Sequence, residues 1–268
     1  MKQITLSFPH LQPALRHALA KSLAVVIALT AASLVATAGA ATVITFDDVG
    51  LVHGSLVSDQ YPDLAISATN FTRGFHLAAA FDSNASGTRD PDLEAADGGP
   101  PYWSGGNILD QDLGLMLIIQ ENDEGCLADA ICDQADDEGW RAAGTITIEF
   151  TRFSVLEFGF DIVDVESFTA ENGSVTLHDG ASSVTIGFAS LLSAPQIGDN
   201  TANRIAPLLA AQINGIEGIV KVVIELGGSG AIDNLTFSHV PEPSTLLLSA
   251  LGLAGLGAAR RAHRARGG

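Results

Sequence analysis

The chain has 268 residues, 47% hydrophobic and 16% charged, with 31 acidic side chains against 13 lysines and arginines and a net charge of −18. An acid excess of this size excludes nucleic acid and anionic lipid surfaces as partners, because both require a positive face. The only cysteines are Cys126 and Cys132; that is too few for a disulfide-dense scaffold, and with no histidine nearby they make a poor zinc site, which normally needs four ligands.

In chain order, Lys2, Arg16 and Lys21 precede an apolar run from Leu23 to Val35, and the small residues Ala36, Ala38, Gly39, Ala40 and Ala41 follow. A charged n-region, an h-region and an A-x-A-type site predict a secretory signal peptide over residues 1–40. Ala36-Thr37-Ala38 is an alternative cleavage site. Residues 41–241 hold 30 acidic side chains and six basic ones, a net charge of −24. Divalent cations, or a cationic or neutral polymer, suit such a surface; the plainer reading is that the charge keeps an exported protein soluble.

Strand patterns then recur with few helix signals. Thr42–Phe46, Leu64–Ala68, Gly74–Phe81 and Gly114–Glu121 are rich in β-formers or continuously apolar, and Thr145–Phe150 and Val155–Ile162 alternate. Alternation of this kind fits strands with one face in a core and the other in water. Ser174–His178 and Ser183–Phe188 flank Asp179-Gly180, a hairpin turn signal. Ile219–Leu226 and Ala231–Phe237 follow, and only Asn203–Ile213 reads as a short helix or turn. The pattern predicts an all-β domain over residues 41–239, an antiparallel β-sandwich wound most simply as a jelly roll.

Two long connections, Asp82–Ile108 and Asn122–Gly144, stand out against short-loop expectations and are the places to look for function. The first carries Asp90-Pro91-Asp92-Leu93-Glu94, whose alternating acids place oxygen ligands on one side of an extended segment. Calcium, which takes six to eight oxygens, suits such a set. The second holds both cysteines; export and their proximity predict a Cys126–Cys132 disulfide. Tyr102, Trp103 and Trp140 lie in these loops, where their rings can stack on sugar or pin the loops to the sandwich. A nucleophile elbow, a His-Glu-x-x-His pair and a phosphate loop are all missing from the sequence, and the histidines are scattered. No catalytic residue is nominated, and the expectation is a protein that is not an enzyme.

The tail is the most specific segment. Pro241-Glu242-Pro243 leads into a fourteen-residue apolar run, Leu246–Ala259, and then Arg260, Arg261, Arg264 and Arg266. As a helix the run spans about 21 Å, short of the ~30 Å hydrocarbon core, which fits a transient inner-membrane stage as a short transmembrane helix. The arginines orient that helix with its end in the cytoplasm. Residues 240–268 resemble the PEP-CTERM sorting signal, which exosortases of Gram-negative bacteria recognise and process. The Phe81-Asp82-Ser83-Asn84, Asp90-Pro91-Asp92-Leu93 and Ile118-Ile119-Gln120-Glu121 segments are similar to stretches of other PEP-CTERM proteins. The two ends of the domain are similar to exported carbohydrate-binding-module-like jelly rolls, in which acids after the first strand and in the last hold structural calcium. That likeness implies Asp47, Asp48 and Asp233 as ligands. Together these resemblances imply an exported protein of the cell surface or extracellular matrix, tied to exopolysaccharide and biofilm and binding carbohydrate. A glycan hydrolase or lyase on the same fold, or an adhesive module that binds proteins, are the rivals.

Overall fold

A computed structural model of the chain describes residues 40–213 and 215–239. The expected signal peptide and the sorting segment with its apolar helix lie outside the described residues. Among the described residues no helix is long and apolar enough to cross a membrane.

The described residues form twelve strands: β1 (Thr42–Ile44), β2 (Leu64–Asn70), β3 (Ala78–Asp82), β4 (Gly105–Gly106), β5 (Leu115–Ile119), β6 (Gly144–Phe150), β7 (Val155–Val163), β8 (Ser174–His178), β9 (Ser183–Gly187), β10 (Thr201–Leu209), β11 (Lys221–Leu226) and β12 (Ala231–His239). One sheet runs β3-β5-β12-β7-β10-β4, and the other β2-β6-β11-β8-β9. β1 pairs with the C-terminal half of β12 (Ile44 opposite Leu235), while β5 pairs with its first residues, Ala231 and Ile232. All pairings are antiparallel except β4 with β10. This is an all-β sandwich; the jelly-roll winding is a finer statement than these strand orders make.

The second sheet alternates as a one-sided sheet should. In β2 and β6 every second side chain faces the core, Ile66 and Ala68 from one and Ile146 and Ile148 from the other. The first sheet is different, because it is covered on both faces. Leu115, Leu117 and Ile119 of β5 join Phe158, Phe160, Ile162, Ile232 and Phe237 in the inter-sheet core. Met116 and Ile118 point the other way, with Phe81, Val163, Ala202 and Ala231, into a second apolar cluster. The long loops close that cluster with Leu93, Trp103, Ile108, Cys126 and Cys132. Double-sided burial explains why β5 reads as an unbroken apolar run rather than an alternation. Each fully buried Phe in these layers contributes roughly 2–3 kcal/mol of transfer free energy.

Two expectations need correction. Asn203–Ile213 is mostly strand, because Thr201–Leu209 forms β10 against β7, with a register shift between Ile205 and Leu208. Arg204 and Pro207 broke the pattern that would have revealed it. Gly74–Phe81 is strand only from Ala78 onward, and extends to Asp82. The two-residue β4 exists because Gly106, at φ 100°, lies so close to Ala202 O that a side chain would clash with the neighbouring backbone.

Candidate functional site: an acidic cleft over the first sheet

At the end of the first sheet where β7 finishes and β10 and β12 begin, five segments converge. They are the loop around Asp90–Glu94, the Asp136–Gly139 stretch, the residues after β7, the turn before β10 and the β11–β12 turn. Between them lies an open cleft of about 620 Å³. Its walls include Asp90, Asp92, Asp136, Asp137, Glu166 and Asp199, with two half-exposed arginines, Arg89 and Arg141.

Hydrogen bonds hold these segments in register. Gln120, just past β5, donates from Nε2 to Gln134 O at 2.6 Å and accepts the Asp136 N–H at 3.2 Å. Asp90 accepts the Asp137 N–H at 2.9 Å, and Asp137 accepts the Gly230 N–H at 2.5 Å. Pro91 starts a single 3-10 turn, Pro91–Leu93, which buries Leu93 in the second apolar cluster. Asn200 ties that turn to the sheet: its Nδ2 donates to Asp92 O and Glu94 O, both at 2.9 Å.

Asp92, Asp164 and Asp199 each bring a carboxylate oxygen to within 4.8 Å of the other two. Asp164, directly after β7, is fully buried behind the cleft wall, Asp92 is half-buried and Asp199 exposed. Burial pushes the Asp164 pKa up to about 8; the Asn200 N–H opposes this, and the charges of Asp92 and Glu166 add to it. Burial likewise raises Asp92. Asp90 and Asp137 are both raised, by burial first and, for Asp137, by the charge of Asp90 beside it. The arginines pair with other acids and not with this trio: Arg89 with Asp136 of the cleft wall at 3.0 Å, Arg141 with Glu166 of the wall at 2.5 Å and with Glu171 at 2.8 Å.

The residues singled out from sequence are dispersed differently from the expectation. Asp90 and Asp92 both line the cleft, from the start of a 3-10 turn and not from an extended segment, and Glu94 is not part of its lining. Asp90 meets Asp137, Asp92 meets Asp164 and Asp199, and Glu94 accepts from the Thr88 N–H at 2.6 Å and hydroxyl at 2.7 Å. Asp47, Asp48 and Asp233 do not line the cleft, but they lie near one another: the charges of all three reach the Tyr61 hydroxyl, and that of Asp47 helps to raise the Asp233 pKa. Asp47 accepts the Leu115 N–H at 2.9 Å and Asp48 accepts the Tyr61 hydroxyl at 3.1 Å. Asp233 is buried beside Asp161, which Arg204 grips through both Nε and Nη2 at 2.8 Å. Among the described residues the trio close enough to share an ion is Asp92, Asp164 and Asp199. Trp103 is 3% exposed in the second apolar cluster, its Nε1 donating to Gln111 O, so its ring is not free to stack on a ligand. Tyr102 packs partly buried against the same cluster, and Trp140 is 62% exposed. Cys126 and Cys132 are joined in a disulfide.

Sequence reasoning missed Asp164, Asp199 and Asn200. Asp199-Asn200 carries a turn signal and Asp164 follows an apolar strand, yet no local spacing links either to Asp92.

In a comparison with known families, residues 239–261 match the PEP-CTERM protein-sorting motif. The motif supports an exported protein that passes through the membrane to the cell surface and is processed by an exosortase. A search of proteins of curated function finds no match to the chain.

Proposed function

We propose that this is a non-enzymatic protein of the cell surface or extracellular matrix of a Gram-negative bacterium, which binds exopolysaccharide at the acidic cleft with calcium in support. The observation that carries the reading is the cleft itself, where carboxylates from four of the five converging segments gather at the end of the first sheet. Polar, open and half-lined by hydrogen-bond acceptors, it suits the hydroxyl groups of a saccharide better than an apolar ligand. Export and sorting supply the setting, because a matrix polymer is met only outside the cell.

The test is retention of the exported protein on the polysaccharide of its own producer, with calcium and after chelation. Retention in calcium that chelator abolishes is the expected result; equal flow-through in both conditions sinks the reading. A second reading, a glycan hydrolase or lyase, has one observation in its favour. Asp90, its pKa pushed up to about 6 mainly by burial, lines the open cleft beside Asp92 in the manner of a proton donor next to a second carboxylate. New reducing or unsaturated ends released from the same polysaccharide decide for it.

A further inference from the structure

The calcium part of that reading leaves open where an ion sits. We infer that Asp92, Asp164 and Asp199 bind one divalent cation, and that the ion is calcium. An ion with oxygen ligands at about 2.3–2.6 Å can be shared by carboxylate oxygens up to roughly 5 Å apart. All three pairs in this trio fall within 4.8 Å.

Proximity of acids is not by itself a site, and here a second observation points to a ligand. Asp164 is 0% exposed; its Oδ1 accepts the Asn200 N–H at 2.8 Å, while its Oδ2 has no hydrogen-bond donor. A buried carboxylate oxygen without a partner is a costly group that proteins rarely leave unmet. Nor does the protein supply a counter-charge. Among the described residues no lysine or arginine forms an ion pair with Asp92, Asp164 or Asp199, and the nearby Arg89 and Arg141 are held by other acids. The buried Ser229 hydroxyl, in the same cleft wall, approaches Asp164 and Asp137 without closing a hydrogen bond to either.

The ligand chemistry narrows the ion. Three carboxylates without histidine or cysteine select a hard cation over zinc or copper. Asp199 is exposed and Asp92 half-buried, so water or a ligand oxygen can complete a high coordination number. Calcium accepts such a mixed, irregular shell, whereas magnesium demands a near-ideal octahedron.

The test uses the full exported protein, stripped with chelator and titrated with calcium alone by calorimetry, alongside Asp164→Asn and Asp199→Asn. The expected result is one site whose affinity falls at least tenfold in each variant, with magnesium at least tenfold weaker than calcium. Asp199 is on the surface, so its variant retains the fold even if Asp164→Asn does not. Isotherms unchanged by Asp199→Asn, or no binding at all, would overturn the site; equal affinity for magnesium would overturn the choice of ion. The inference rests on the cleft and not on its glycan. Ion binding without polysaccharide retention removes the proposed function and leaves the site; retention without ion binding removes the site and the calcium part of the function and leaves the glycan binding.

Discussion

The backbone N–H of Asn200 donates to Asp164 Oδ1 at 2.8 Å, and both residues sit in the left-handed region, at φ 54° and 66°. Each such conformation costs a non-glycine residue about 1 kcal/mol, and asparagine and aspartate bear it best because their side chains bond locally. Asn200 does more than that. Its Nδ2 holds the carbonyls of Asp92 and Glu94, and its Oδ1 accepts the Ser104 N–H at 3.1 Å. Asn200→Ala is expected to destabilise the domain by about 2–3 kcal/mol, at roughly 1 kcal/mol per lost bond. Asn200→Gly loses the same bonds without the strain and should be less harmful by about 1 kcal/mol. Denaturant midpoints that rank the two variants equally would contradict the conformational part of this argument.

The contrast between strands and site shows where sequence is readable. Thr145–Phe150 and the Ser174–Gly187 hairpin show in the pattern because one face meets the core and the other water. β10 does not, because its outward face carries Arg204 to Asp161 and its length includes Pro207. Asp92 stands out beside Asp90, but Asp164 and Asp199 join it only through the pairing of β7 with β10. Trp103 misleads for a related reason: a second apolar layer outside the first sheet takes a loop aromatic into a core.

That layer separates the two tryptophans experimentally. Trp103 is packed among Leu93, Ile108 and Leu113, so Trp103→Ala should cost about 3–5 kcal/mol. Trp140 is largely exposed, and Trp140→Ala should stay within roughly 0.5 kcal/mol of the parent. Since the chain has only these two tryptophans, acrylamide should quench one emitting population and spare the other. Quenching that reaches both equally would show the outer layer to be open.

The Cys126–Cys132 bond spans six positions, and both cysteines are buried in that same layer. Closing so small a loop stabilises by about 2 kcal/mol in the chain-entropy account. The double serine variant should lower the denaturant midpoint accordingly and speed amide exchange between Asn122 and Glu138. Exchange in β6 and β11, on the opposite sheet, should not change. Faster exchange throughout both sheets would mean that the bond supports the whole sandwich.

Asp233 offers a stabilising change. It is 1% exposed, with Oδ2 accepting from Asn234 Nδ2 at 2.9 Å and Oδ1 lacking a donor. Burial is the main cause that raises its pKa well above the carboxylate range, with the charges of Asp161 and Asp47 adding to it. A folded-state pKa above the unfolded one means that stability is full below about pH 4 and is lost as pH rises through the folded value. Asp233→Asn removes the ionisation and should therefore stabilise at pH 8, by about 1 kcal/mol or more, and change little at pH 4. Urea unfolding at the two pH values checks this, and a variant no more stable than the parent at pH 8 would refute it.

His53 carries the opposite sign. Its Nδ1 accepts the Asp82 N–H at 3.1 Å, at the end of β3, and its ring packs against Phe81 with centroids 5.2 Å apart. An imidazolium has no lone pair at Nδ1, so protonation breaks that bond. Burial lowers the His53 pKa, against the pull of the Asp82 charge. A depressed folded-state pKa makes its contribution full above the unfolded value of about 6.5 and lost as pH falls through the folded one. The parent should therefore lose about 1 kcal/mol more than His53→Gln between pH 7.5 and 5, the worth of one hydrogen bond. Gln keeps an acceptor oxygen without titrating, so the difference between the two pH profiles isolates the imidazole from the many carboxylates. Parallel profiles, or a His53 imidazole that titrates above 6.5 by NMR, would place its ring in water and not on β3.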